Sequence, residues 1–245
     1  MKIVFLGTNG WYSTDMGNTS CVLIDSEQSY VILDAGDGIY KLDKYIKSQK
    51  AIKLFLSHLH LDHIIGFHVF AKFQFKQGMN IYGYGIQNGL KLIGHPYTIP
   101  LKELPFKAKL HNLEVGKHNL PFPVTSKFLE HTDPCLGFRF KLENKVIAYC
   151  TDTGLCDNLY ELARNADLLI TECSYKPNQA GWRWPHLKPE EAATVAKQAN
   201  VKQLVLTHFD AEANRTTNER ERKVTKARAI FKRTIAAVDN LEIEI

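Results

Sequence analysis

The sequence has no run of apolar residues approaching the roughly 20 that a bilayer-spanning helix needs, so a membrane-embedded protein is not expected. It has no positively charged start leading into an apolar stretch, so no secretory leader is expected either. No CxxC pair is present among its five cysteines, Cys21, Cys135, Cys150, Cys156 and Cys173. Their odd number and wide spacing argue against a disulfide framework and for reduced thiols in a cytoplasmic protein. Low-complexity tracts and short-period repeats are missing too, which leaves disordered and solenoid classes without support. Charge of one sign is scarce: the net charge is +5 with histidine neutral. That permits a phosphate-bearing substrate without demanding nucleic acid.

What is present is an ordinary globular composition. Of 245 residues, 44% are hydrophobic and 23% charged, enough to fill a sizeable core in one domain spanning 1–245. KIVFLGT opens as an apolar strand. SCVLID and YVILDAGDG read as a hairpin across Ser26 to Ser29. Apolar residues at Ile39, Leu42, Tyr45 and Ile46 predict a helix over 39–50, followed by the strand AIKLFLS and a helix starting in HIIGFHVFAKF. Residues 78–126, rich in proline and glycine, read as short strands and loops. FRFKLENKVIAYC predicts a hairpin turning at Glu143, Asn144 and Lys145. Two helix-then-strand units follow, LYELARNADLLITECSY and KPEEAATVAKQANVKQLVLTHF, then a basic helix over 217–237 and a last strand, LEIEI. In that basic segment Val224, Ala227, Ile230 and Phe231 form an apolar stripe, so a docked helix with a solvated charged face is expected rather than an RNA-binding one. Strands crowd each half with helices between and after them, which predicts two sheets covered by helices in an α/β layered architecture.

The stretch SHLHLDHIIG carries the chemistry. His58 and His60 stand two apart, so on extended backbone both imidazoles point the same way and can reach one ion. Asp62 and His63 follow where strand gives way to helix, and can turn toward a second ion. Imidazole and carboxylate suit zinc and similar metals. A lone histidine would read as a solvated surface group; four donors in HxHxDH behind an apolar strand do not. Four ligands cannot complete two sites. Three more candidates each end an apolar run: His131 in FLEHTDP, Asp152 in VIAYCTDTG and His208 in LVLTHF. Residues just after buried strands gather at one sheet edge, where sites form.

This order of pieces resembles the metallo-β-lactamase superfamily, within its phosphodiesterase branch that includes ribonuclease Z. LGT at 6–8, DAGDG at 34–38, SHLHLDHIIG, the His131 region, TDTG at 151–154 and THF at 207–209 carry the resemblance across essentially the whole chain. It implies a four-layer αβ/βα sandwich, two mixed sheets flanked by helices, with two divalent metal ions between the sheets. Zinc is the first expectation, and manganese or iron would suit the same donors. His58, His60 and His131 would hold one ion, Asp62, His63 and His208 the other, and Asp152 would bridge them. Glu172 in ADLLITECSY and His186 in WPHLKPEEA match a Glu that orients a catalytic His in ribonuclease Z-like enzymes. A carboxylate beside an imidazole raises its pKa and makes it a better proton donor near neutrality. The expected activity is phosphodiester hydrolysis by a water shared between the two ions, with Asp62 accepting its proton and His186 assisting the leaving group.

The sequence departs from ribonuclease Z in two places: the N-terminal loop TNGWYSTDMGNTS has no close match to that family's usual Pro-Thr and Arg-Asn pattern, and the stretch before the bridging aspartate is short. That family commonly inserts a long arm that grips transfer RNA between the third histidine and the bridging aspartate. Here only the hairpin CLGFRF and KVIAYC separates His131 from Asp152. A small or cyclic nucleotide phosphodiester is therefore the expected substrate. A ribonuclease Z-type transfer-RNA 3′ endonuclease acting on RNA, and a hydrolase of sulfate esters, lactones or thioesters, stay open as alternatives. A homodimer is a further expectation of the branch. Trp11, Tyr12, Trp182, Arg183 and Trp184 could contact substrate or only pack their loops.

Overall fold

The computed structural model describes residues 1–179 and 184–245; the candidate substrate contacts Trp182 and Arg183 lie outside them. Two seven-stranded mixed sheets face each other. The first runs, in spatial order, Leu241–Glu244, Lys2–Gly7, Cys21–Asp25, Ser29–Leu33, Ala51–Phe55, Met79–Gly83 and Ala108–Asn112. The second runs Thr234–Ala236, Leu204–Thr207, Leu168–Glu172, Lys145–Cys150, Leu136–Leu142, Pro123–Phe128 and Gly116–Asn119. Each sheet is antiparallel through one half and parallel through the other. A short third pairing joins Asn9–Gly10 to Phe209–Asp210.

Alternation along the strands builds the layers. Ile3 and Phe5 point between the sheets, where they meet Val22, Phe55, Phe138, Phe140 and Tyr149. Val4 and Leu6 point to the other face, under the 3-10 helices Asp37–Lys44 and Ile65–Lys72 and the phenylalanines Phe67, Phe70 and Phe73. The second sheet's outer face is covered by the helices Asp157–Ala163, Pro189–Gln198 and Thr217–Ile230 through Leu159, Leu162, Ala192, Val195, Val224 and Ala227. Strands buried on both faces read as continuous apolar runs, and the result is the expected αβ/βα sandwich. All five cysteines are free, and no helix among the described residues is long and apolar enough to cross a membrane.

Both predicted hairpins form. Ser26 N–H donates to Ser29 O at 3.0 Å. Glu143 and Asn144 adopt φ of 47° and 63°, the left-handed pair that a two-residue hairpin turn demands. Four elements differ from expectation. Residues 39–50 give a 3-10 helix at Asp37–Lys44 instead. HIIGFHVFAKF becomes one helical turn at Leu61–Ile64 and a 3-10 helix at Ile65–Lys72. There the backbone is pressed so close that a Cβ on Gly66 would lie 2.5 Å from Gly36 O. Residues 86–92 form a helix where loops and strands were expected; only Ile86 and Leu90 bury, too few to mark a period. The basic helix stops at Ile230, because the β-branched pair Thr234 and Ile235 extends the second sheet beside Leu204–Leu206. Its charged face is not all solvated: Arg220 and Lys223 are buried with Val224 and Ala227.

Candidate metal centre

The parallel halves of both sheets deliver polar side chains from the C-terminal ends of their strands to one place. Ser29–Leu33 ends at Asp34, Ala51–Phe55 leads to His58, His60, Asp62 and His63, Lys145–Cys150 leads to Asp152, Leu168–Glu172 ends at Glu172, and Leu204–Thr207 is followed by His208. Asp34, Asp152 and His208 take left-handed backbone, with φ of 60°, 51° and 48°. Non-glycine residues adopt that region at a cost, and such strain gathers at functional sites.

All seven expected ligands converge. Their donor atoms fall into a group of His58, His60, His131 and Asp152 and a group of Asp62, His63 and His208, each within 4.8 Å. Asp152 links them through different oxygens. Its Oδ1 lies 3.3 Å from His63 Nε2 and 3.1 Å from His208 Nε2. Its Oδ2 lies 3.8 Å from His58 Nε2 and 3.9 Å from His131 Nε2. Asp62 Oδ2 approaches His63 Nε2 at 3.5 Å and His208 Nε2 at 3.3 Å.

Most of the imidazoles are held by their other nitrogen. Asp34 accepts hydrogen bonds from His63 Nδ1 at 2.9 Å, Ser57 N–H at 2.7 Å, Ser57 Oγ at 2.9 Å and Tyr149 OH at 2.7 Å, fully buried. His208 Nδ1 meets Ser174 Oγ at 3.1 Å, and His60 Nε2 donates to Asp133 at 2.9 Å. His58 Nδ1 meets Ser57 Oγ at 2.9 Å, and its buried Nε2 has no hydrogen-bond partner among the described residues. Such outer partners fix the ring orientation of metal-bound histidines. Imidazole nitrogens converging on carboxylate oxygens, with the buried His58 Nε2 left without a partner among the described residues, are a donor set that fits divalent cations. Burial pushes His58 well down in pKa, and the His63 charge adds to this. Burial opposes ionisation of Asp152, but His208 and His63 outweigh it and hold the carboxyl well below its usual range. It is an anion awaiting positive charge.

His186 overhangs the cluster, its ring 5.8 Å from His131 and 6.0 Å from His208. Its Nδ1 donates to Glu172 Oε1 at 2.6 Å. Glu172 is buried and also accepts from Thr153 N–H at 2.7 Å and Ser174 N–H at 3.1 Å. Burial presses the His186 pKa down, but Glu172 outweighs that and lifts it to about 9. Lys223 braces the same turn from below, donating to Cys173 O at 2.6 Å and Ser174 O at 2.8 Å.

Sequence reasoning missed Asp34, Asp133 and Ser174, and it offered Trp11 and Tyr12 only as possible substrate contacts, not as part of a loop that braces the cluster. Asp34 stood in the quoted DAGDG without a role. Gly10 packs on the His208 ring so closely that a Cβ would fall 2.4 Å from Cε1, and Trp11 N–H donates to Asp62 Oδ2 at 2.8 Å. The glycines of TNG and MGN are the signal that this loop approaches something closely.

The comparisons agree with this geometry. The profile of the family described as "Beta-lactamase superfamily domain" matches residues 30–209. Ribonuclease Z of Methanosarcina mazei is 25% identical, the match covering all of this chain and 98% of that protein. The probable metallo-hydrolase YhfI of Bacillus subtilis is 29% identical over 85% of this chain and 87% of its own. The YhfI crystal structure superposes with a TM-score of 0.82 at 23% identity, covering all of this chain and 98% of that one. Human tRNase Z, short form, superposes at 0.77 and 24%, covering all of this chain and 99% of that one. The profile match over most of the chain and the cluster it encloses place this protein in the beta-lactamase superfamily, among its ribonuclease Z-like members.

Proposed function

We propose that this protein is a metal-dependent hydrolase of small phosphodiesters, cyclic nucleotides among them. His58, His60 and His131 would hold one divalent ion, Asp62, His63 and His208 a second, and Asp152 both. Bound there, such ions would acidify water and polarise phosphoryl oxygens. The residues of the chain supply the rest. Asp62, its Oδ2 fixed by the Trp11 N–H, is placed to take the proton of the attacking water. Glu172 holds His186 by Nδ1, which leaves Nε2 to carry a proton toward the leaving oxygen. Ser174 and Asp34 keep His208 and His63 turned to the cluster.

The observation that carries this reading is Asp152, whose two oxygens face two different histidine groups. Preference for a small substrate rests on the direct path from His131 to Asp152. Phe128 ends one strand, and Leu136–Leu142 and Lys145–Cys150 form a tight hairpin. The alignment to Methanosarcina mazei ribonuclease Z runs over 306 positions against 245 residues here, so the relative carries segments this chain lacks.

The relatives named ribonuclease Z favour a second reading, cleavage of precursor transfer RNA. One comparison decides between them. Metal-loaded protein is given a 3′,5′-cyclic nucleotide and a precursor transfer RNA with a 3′ trailer. Faster turnover of the cyclic nucleotide is expected. Specific cleavage of the precursor would favour the second reading, and activity on lactones, thioesters or sulfate esters alone would remove both.

A further inference from the structure

Large apolar side chains stand exposed on residues that touch the cluster or lie next to it in the chain. Trp184 is 42% exposed, with its ring 5.7 Å from that of His60 and 6.3 Å from that of His131. Its carbonyl accepts a hydrogen bond from the Tyr175 hydroxyl, which fixes the backbone there. At the other ligand group Trp11 is 66% exposed. Its backbone is anchored to Asp62, and its φ of 72° is one a bulky residue adopts only at a cost. Tyr12, edge-on to Trp11 at 5.1 Å, is tied by its hydroxyl to Glu212 and supports it from behind. Leu61, between His60 and Asp62 in sequence, is 65% exposed. Water contact with this much aromatic surface is unfavourable unless something covers it.

Indole faces stack on flat rings, whatever the ring's hydrogen-bonding edge.

We propose that Trp11 and Trp184 form a ring-gripping pair, so that this site selects phosphodiesters carrying a planar aromatic ring beside the scissile phosphate. This deepens the phosphodiesterase reading and rests on it for the reaction, not for the binding. The ring is recognised by its face, so a nucleobase and a simple aryl group share the chemistry.

Calorimetric titration of the metal-loaded protein tests it, with adenosine monophosphate, phenyl phosphate and ribose 5-phosphate as probes. All three bring a phosphate to the cluster, and only the first two bring a ring. Both ring-bearing probes are expected to bind about tenfold or more tighter than ribose 5-phosphate. Tightness for adenosine monophosphate alone also supports the pair and narrows the ring to a nucleobase. Trp184→Ala and Trp11→Ala should each shrink the preference and the double variant erase it, with metal content and melting temperature unchanged. Equal binding of ribose 5-phosphate by the parent protein, or an undiminished ring preference in the double variant, would overturn the proposal. Parallel assay of a cyclic nucleotide separates the two readings: ring preference without hydrolysis sinks the reaction and keeps the grip, and hydrolysis without ring preference does the reverse.

Discussion

The two halves of the metal cluster are built differently. In the half formed by Asp62, His63 and His208, every expected ligand has a hydrogen-bonded brace: His63 the buried Asp34, His208 the buried Ser174, Asp62 the Trp11 N–H. In the half formed by His58, His60 and His131, bracing is thinner. His60 depends on Asp133, which is 61% exposed, and His131 Nδ1 is buried with no partner among the described residues. Two of the three residues of the inner half are thus preorganised by buried groups, Asp34 and Ser174, that cannot move without disturbing the core. The outer half relies on the Ser57 hydroxyl behind His58 and, for His60, on one solvated carboxylate, and exposed ion pairs contribute little. The lesson is that seven equivalent-looking ligands in sequence need not hold two equivalent ions: the inner half should bind more tightly.

The sharpest way to break this comparison is to remove the residue common to both halves. Asp152→Ala should lose both ions and reduce turnover on the order of a thousandfold or more, followed by metal analysis and initial rates. Retention of either ion at full occupancy would mean the halves are independent. His186→Ala should be next, costing about 10²–10⁴-fold in turnover while both halves keep their metal, since the hydrogen bond His186 gives goes to Glu172, outside the seven expected ligands. The pH profile sharpens this. The donor form of His186 is the cation, present below its pKa, which the Glu172 charge raises to about 9. Activity should fall as pH rises through that alkaline limb, and Glu172→Gln, which deletes the raising charge, should move the limb to lower pH. An unmoved limb would assign it to another group.

Two smaller effects test the asymmetry itself. Asp34→Ala strands His63 Nδ1, Ser57 and Tyr149 in the core, so stability should fall by about 3 kcal/mol in urea unfolding and inner-half affinity by about tenfold to a hundredfold, with a smaller loss in the outer half because Ser57 also holds His58. Asp133→Ala removes one exposed brace, so it should weaken the outer half alone, by about tenfold, with stability unchanged. Equal effects of the two on both ions would erase the difference between the halves.

Much of this cluster was legible in the sequence because its histidines and carboxylates come in local patterns. HxHxDH marks itself, and His131, Asp152, Glu172 and His208 each close an apolar run, so strand ends delivered them together. The braces were not legible, because their partners are distant in the chain. Asp34 meets Tyr149, 115 positions away, and Arg220 reaches Thr8 across 212. Arg220 and Lys223 looked like members of a solvated basic face. Only the folded chain shows them turned inward, Lys223 capping the carbonyls beside Glu172. The 86–92 helix was hidden by its composition, with glycine inside and two buried residues. The early end of the basic helix was hidden by a sheet edge that only tertiary pairing supplies.

One measurement bears on all of this: release of metal from the loaded protein to a chelator, followed with time alongside phosphodiesterase activity. The account predicts two equivalents released in separate steps, the faster quickened by Asp133→Ala and the slower by Asp34→Ala. It also predicts that activity disappears with the first ion lost. A single equivalent, simultaneous release of both, or full activity after the first step would contradict a two-ion site with unequal halves.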